Sequence, residues 1–191
     1  MKYLVFSDLH GSITMMNRII EIFEEEKCDK MIFLGDLLYH GPRNDLPDGY
    51  NPKEVAILVK KYKDKFIWVR GNCDGRVDEM VTGIKIKNNL RIKNNFKIKY
   101  RSIFKNILLT HGDLFRTINN NMCFKKKLFT KIVFYGHTHI FDVTNVKGTY
   151  YINPGSITIP KDGNKSYLIF ENNQITRYDE MKNILFTQII K

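Results

Sequence analysis

Five short apolar runs in this chain stop at residues of one kind: a carboxylate, an amide or a histidine, usually beside a glycine. "KYLVFS" runs into Asp8-Leu9-His10, "KMIFL" into Gly35-Asp36, and "KFIWVR" into Gly71-Asn72-Cys73-Asp74. Further on, "NILLT" runs into His111-Gly112 and "KIVFY" into Gly136-His137-Thr138-His139. Runs of this length, rich in Val, Ile, Leu and Phe and closed by turn residues, read as buried strands. After the first, residues 14–26 place Met16, Ile19, Ile20 and Phe23 on one helical face. After the second, Asn51 with Glu54 three residues on predicts an N-cap, and helix-like residues follow from Pro52. The first half therefore reads βαβαβ, a parallel sheet with right-handed crossovers. In open α/β sheets the ligand site lies beyond the carboxyl ends of the strands, so these polar tips are expected to converge.

Past residue 84 strands dominate, predicted at 96–101, 106–110, 131–136, 141–146, 149–152 and 166–171. No linker, repeat or low-complexity tract interrupts the chain, and a single domain over residues 1–191 is expected. Hydrophobic residues make up 43 % and charged ones 27 %, ordinary for a soluble globular protein. No run approaches the roughly 18 apolar residues of a membrane span, so no membrane partner is expected. "MKYLVF" meets Asp8 too soon to be the core of a signal peptide. Cys28, Cys73 and Cys123 are an odd set with no motif spacing, which implies no disulfide framework and a reducing, cytoplasmic setting.

Thirty-one Lys and Arg against twenty Asp and Glu give a net charge of +11, enough to attract anionic partners. Much of the excess lies in "IKIKNNLRIKNNFKIKYR" (84–101), which alternates apolar and basic residues. That pattern predicts a β-ribbon with a solvated lysine face whose charges discourage edge pairing. A nucleic-acid surface is not favoured there, because aromatic interleaving is thin and no zinc-finger spacing occurs.

Four of the five histidines occupy the predicted strand tips, together with two acids and an amide. Carboxylate, amide and imidazole ligands without an obligatory thiolate suit Mn²⁺, Fe or Zn²⁺ at an open catalytic site. Asp8 and His10 are two apart on extended chain and leave the same face, as do His137 and His139. Seven donors exceed what one tetrahedral ion takes and match two ions sharing a carboxylate, which in such sites lie about 3.5–4 Å apart.

"DLHG", "GDLLYHGPRN", "GNCD", "THGDLF" and "YGHTH", followed by "NPGS", resemble the motifs of calcineurin-like metallophosphoesterases. The chain is most like the YfcE-like phosphodiesterases, over about residues 2 to 165, including the loop "HGPRNDLPDGY". The resemblance implies an α/β fold, a four-layer αββα sandwich with two mixed β-sheets. It implies two divalent ions per chain, Mn²⁺ first, with Fe, Zn²⁺ and Ni²⁺ left open. It assigns Asp8, His10, Asp36 and His139 to one ion and Asp36, Asn72, His111 and His137 to the other, with Asp36 bridging. Asp36, Asn72 and His111 would thereby act in catalysis through the metals and the phosphate. Gly71 is expected to permit a sharp exit from its strand. Many relatives carry a histidine after the asparagine, whereas the YfcE-like branch and this chain carry a cysteine; whether Cys73 donates a proton is left open. A thiol nucleophile is not expected, since Glu79 stands where a cysteine phosphatase loop would have its arginine.

The expected reaction is hydrolysis of a small phosphate diester by hydroxide formed between the two ions and attacking in line. His40 and Arg43 are candidate ester contacts, with a purely structural role for the loop as the alternative. Two rival readings stand beside this one. The retromer subunit of the vacuolar sorting machinery resembles this fold as a non-catalytic scaffold, but its mark would be a degraded ligand set, and here all seven positions are filled. A nuclease would suit the charge, but the chain lacks room for the extra DNA-binding domains of large nuclease relatives. Homo-oligomerisation is left open.

Overall fold

A computed structural model describes residues 1–93, 106–113, 116–118, 121–123 and 131–190. Its first half is the expected βαβαβ unit: β1 (Tyr3–Phe6), α1 (Ile13–Glu25), β2 (Lys30–Phe33), α2 (Pro52–Lys61) and β3 (Phe66–Trp68). β2 pairs in parallel with both β1 and β3. Ser12 caps α1 by accepting from the Met15 amide, and Asn51 caps α2 by accepting from the Glu54 amide at 3.2 Å. The cap read from the sequence is thus in place, and Pro52 follows it at the first helical position, where a missing N–H costs nothing.

A third helix, α3 (Arg76–Thr82), follows the "GNCD" turn and was not anticipated. Seven residues give too short an apolar period to read, and local hydrogen bonding forms the helix: the Gly75 amide donates to the Asp78 carboxylate at 2.6 Å. It ends at Gly83, whose φ of +69° is left-handed. The second half supplies β4 (Asn89–Lys93), β5 (Asn106–Thr110), β6 (Arg116–Ile118), β7 (Asn121–Cys123), β8 (Ile132–Phe134), β9 (Phe141–Val146), β10 (Thr149–Pro154) and β11 (Ser166–Glu171). Two further strands, β12 (Gln174–Asp179) and β13 (Ile184–Ile189), extend the first sheet beyond the last predicted strand. β4 lies within the basic stretch, as an edge strand; the strand predicted at 96–101 lies outside the described residues.

The strands form a six-stranded sheet in the order β13-β12-β11-β1-β2-β3 and a five-stranded sheet in the order β4-β5-β8-β10-β9. Both are mixed, since β11 runs antiparallel to β1, and β4 and β9 run antiparallel to β5 and β10. Alternation along the strands sorts the core into layers. Tyr3, Val5 and Ile32 join Ile107, Leu109, Phe134 and Ile152 between the sheets. Leu4, Phe6, Met31 and Phe33 face the other way, onto Met16, Ile19 and Phe23 of α1 and Val55 and Val59 of α2. Leu108, Val133 and Tyr151, on the outer face of the second sheet, are buried as well. The two mixed sheets of the expected four-layer αββα sandwich are therefore present, with α1 and α2 as the outer layer of the first; among the described residues no helix lies on the outer face of the second. Among the described residues no helix is long and apolar enough to cross a membrane.

Phe134 is fully buried between the sheets and meets Phe170 edge-on at 5.5 Å. Phe134→Ala is expected to destabilise the fold by about 3–5 kcal/mol, read as a lower urea midpoint at unchanged slope. A loss under about 1 kcal/mol, within the range of ordinary surface changes, would contradict this placement of the core.

Candidate metal centre

Beyond the strand ends the backbone bends sharply at the polar tips. Asp8, His10, Asp36, His137 and His139 have φ between +50° and +68°. Non-glycine residues rarely enter this left-handed region, and each instance costs on the order of 1–3 kcal/mol unless its surroundings impose it. At the tips of the first sheet the ladder between β1 and β2 runs past the strands and holds the bends: Asp8 N–H donates to Gly35 O (3.1 Å), His10 N–H to Asp36 O (3.0 Å) and Gly11 N–H to Leu37 O (2.7 Å). Five of the seven residues read from the sequence as metal ligands carry this bend.

Two glycines let the tips close on one another. A Cβ at Gly35, where φ is +108°, would lie 2.6 Å from the Gly71 amide and 2.7 Å from His111 Nδ1. A Cβ at Gly71 would lie 2.0 Å from Asp36 Oδ1. The chain does turn directly after Gly71, Asp74 N–H donating to Gly71 O at 3.3 Å, but Gly71 is absent from the left-handed set: it is a glycine because the Asp36 carboxylate occupies its Cβ position.

The side chains meet in one cluster. His139 Nε2 lies 3.3 Å and His10 Nε2 3.8 Å from Asp8 Oδ1, and the two Nε2 atoms are 3.4 Å apart. His111 Nε2 is 3.5 Å from Asp36 Oδ2. Asn72 Oδ1 lies 3.0 Å from His111 Nε2 and 2.7 Å from His137 Nδ1. Asp8, His10 and His139 each bring a donor atom within 4.8 Å of the others, as do Asp8, Asp36 and His111. All seven expected ligands are therefore in one place.

Three of the histidines are oriented by the backbone. His10 Nδ1 lies 2.8 Å from Tyr39 O, His111 Nδ1 2.7 Å from Leu34 O and His139 Nδ1 2.9 Å from Ile159 O. A carbonyl only accepts, so each Nδ1 carries the proton and each Nε2 turns its lone pair on the cluster, as metal-ligating histidines do. Asp8 Oδ1 is buried without a hydrogen-bond partner among the described residues. Bare ring nitrogens facing each other over an unpartnered carboxylate oxygen repel unless a cation or a proton stands between them. The donor set fits a divalent ion.

The charge balance points the same way. Burial works against the Asp8 anion, yet the imidazoles of His139, His111 and His10 hold its carboxyl well below the usual range. Burial raises Asp36 instead, aided by the negative charges of Asp8 and Asp74. Burial also favours neutral His111 and His139, but the two carboxylates outweigh it and both rings hold protons more tightly than usual. His137 shifts down, by burial and by the neighbouring His111. The acids and imidazoles of the cluster thus perturb one another in opposite directions, as titratable groups packed within a few ångströms do.

Cys73 Sγ shares a donor group with His10 and Asp36. Burial, then the Asp36 carboxylate, push its thiol up to about 12, so it stays protonated at neutral pH. Its amide, not its sulfur, makes the firm contact, donating to Asp36 Oδ1 at 2.8 Å. Of the two candidate ester contacts, His40 packs edge-on between Tyr39 and Tyr50, and Arg43 is exposed. No contact among the described residues joins either side chain to the cluster.

Residues given no role in the sequence reading hold the tips in place. Asp74, the last letter of "GNCD", accepts from the amides of Asp36 (3.0 Å), Leu37 (2.9 Å) and Gly71 (2.8 Å) and from Trp68 Nε1 (3.1 Å). It ties the β2 tip to the β3 tip. In "NPGS", Asn153 donates to Gly136 O (2.8 Å) and Ser156 to Asp8 O (2.8 Å), fixing the "GHTH" and "DLH" turns. The signal was available: polar residues at the ends of apolar runs that are not themselves ligands.

The family description calcineurin-like phosphoesterase superfamily domain matches residues 1–174 of this chain. Phosphodiesterase YfcE of Escherichia coli (strain K12) is 36 % identical over 183 residues, covering 92 % of this chain and 90 % of that protein. The probable metallophosphoesterase YsnB of Bacillus subtilis (strain 168) is 29 % identical, over 96 % of this chain and 94 % of its own. The solved structure of YfcE, a phosphoesterase from E. coli, matches with a TM-score of 0.86 at 32 % identity over 100 % of both chains.

Asp74 and Cys73 are expected to separate cleanly by substitution. Asp74→Ala leaves four buried donors without an acceptor and should cost at least about 3 kcal/mol, with Mn²⁺ affinity falling as the Asp36 and Asn72 tips loosen. Cys73→Ser should keep both stability and metal content. Denaturant titration and metal analysis of the two variants check this; unchanged metal affinity in a folded Asp74→Ala variant would contradict the tethering role.

Proposed function

Because the chain belongs to the calcineurin-like phosphoesterase superfamily, we propose that it is a metal-dependent phosphodiesterase that hydrolyses one ester bond of a small phosphate diester at a two-ion centre. The observation that supports this most directly is the unpartnered Asp8 Oδ1 beneath inward-turned His10 and His139, with Asp36, Asn72, His111 and His137 alongside. Asp8, His10, Asp36 and His139 would hold one ion; Asp36, Asn72, His111 and His137 would hold the other. Oxygen and imidazole donors with no obligatory thiolate suit Mn²⁺, Fe or Zn²⁺, and Mn²⁺ is the ion we assign, from the resemblance to the YfcE-like phosphodiesterases. Bound there, such ions supply Lewis-acid chemistry, acidifying a water and neutralising charge on the phosphoryl oxygens.

The chain's own residues do the positioning. The carbonyls of Tyr39, Leu34 and Ile159 fix the tautomers of the three neutral rings, so that each turns its Nε2 lone pair inward. The Cys73 amide and Gly71 bracket the Asp36 carboxylate and set its angle to both sides of the centre. Cys73 holds a proton at Sγ near neutral pH, which leaves it a donor to a departing alkoxide and not a nucleophile.

Chelator-treated protein is expected to be inactive on bis(p-nitrophenyl) phosphate and to regain activity with Mn²⁺. Asp36→Ala, which removes the shared ligand, should lower turnover more than about a thousandfold, about 4 kcal/mol of barrier, and reduce bound metal. Turnover that survives thorough chelation, or wild-type rates from Asp36→Ala, would sink this reading.

A further inference from the structure

Helix α3 has its apolar side outward. Asp78 and Thr82 are buried, whereas Val77, Met80 and Val81 are 61 %, 80 % and 45 % exposed. The inward positions are taken by local hydrogen bonds: Asp78 to the Gly75 amide, and the Thr82 hydroxyl to Asp78 O at 2.6 Å. Facing α3, helix α2 leaves Ile57 62 % exposed. Between the two helices lies a pocket of about 710 Å³. That is within the roughly 300–1,000 Å³ of small-molecule sites. Tyr39, Tyr50, Ile57 and Val81 line it, with Lys53 and Lys60 of α2 supplying positive charge. Among the described residues Asp78 is the one carboxylate on its wall, and it is engaged with Gly75.

The pocket adjoins the metal centre. The Tyr39 ring lines it while the Tyr39 carbonyl orients His10. The Tyr50 ring packs so closely on Gly11, next to His10, that a Cβ there would lie 2.6 Å from Tyr50 Cε2. Its two walls are the segments that leave the centre from Asp36 into α2 and from Asn72 into α3.

We propose that this pocket receives the organic group of the substrate, an aromatic or other flat apolar group, and holds it against Tyr39 and Tyr50 while the phosphate reaches the metal centre. This rests on the phosphodiesterase reading above. Lys53 and Lys60 favour an anionic ester. A second copy of the chain is disfavoured on the same surface, because each copy carries a net charge of +11 and would bring these lysines together.

Binding is measured by titration calorimetry with diphenyl phosphate and dimethyl phosphate, on Mn²⁺-loaded wild-type protein, Val81→Trp, which fills the pocket, and Ile57→Asn, which makes its wall polar. Diphenyl phosphate is expected to bind wild type at least tenfold more tightly than dimethyl phosphate. Each variant should lose at least fivefold for the diphenyl ester and keep its dimethyl affinity. Equal affinities in wild type, or equal losses for both esters, would overturn the proposal. So would a wild-type dimer in sedimentation that both substitutions dissociate, since the face would then be a self-interface. Hydrolysis measured in parallel separates the two readings. Diester turnover without aromatic preference removes the pocket and keeps the phosphodiesterase; aromatic preference without any turnover does the reverse.

Discussion

Asp8 Oδ1 is buried with no hydrogen-bond partner among the described residues, 3.3 Å from His139 Nε2 and 3.8 Å from His10 Nε2. Crowding acceptors in a dry place is unfavourable by several kcal/mol unless positive charge is supplied. The two carboxylates accordingly make His111 and His139 hold protons more tightly than usual, against the effect of burial. Much else at the strand tips serves to bring these acceptors together: the left-handed turns, the contact between Gly35 and Gly71, and the tethers from Asp74 and Ser156. A fold selected only for stability would place hydrogen-bond donors there.

The strain at the five left-handed residues is borne by what lies beneath them. The continued ladder between the β1 and β2 tips over-determines Asp8 and His10, and the parallel strands are anchored on both faces by apolar layers. From the sequence Asp8 and His10, and His137 and His139, are expected to share a face on extended chain, but all four are left-handed, so the bends and not the strand pleat aim their side chains. The same logic explains why the second sheet contributes: His111 and the "GHTH" turn follow its strands β5 and β8, so the centre closes only when both sheets pack. Site and sandwich are in this sense one construction.

Much of this was legible because its signals are local. An apolar run followed by Asp, His or Asn marks both a strand and its tip, and Asn51 with Glu54 marks a helix start within four residues. What stayed hidden depends on distant contacts. The reason for Gly71 is the Asp36 carboxylate, 35 residues earlier in the chain, and Asp74 gains its role only when β2 and β3 are side by side. Helix α3 exposes its valines and buries an acid, the reverse of the pattern by which helices are recognised, and β12 and β13 lie past the last run strong enough to read. The pocket between α2 and α3 is a property of packing, and no local pattern announces it.

Whether the cluster is a paired metal centre is tested most directly by anomalous diffraction from crystals of Mn²⁺-loaded protein, with data collected on both sides of the manganese absorption edge. Two peaks about 3.5–4 Å apart are expected, with an Asp36 oxygen between them and Asn72 on the side of His111 and His137. A single peak, or a second one ligated by Cys73 sulfur in place of Asn72, would contradict the account.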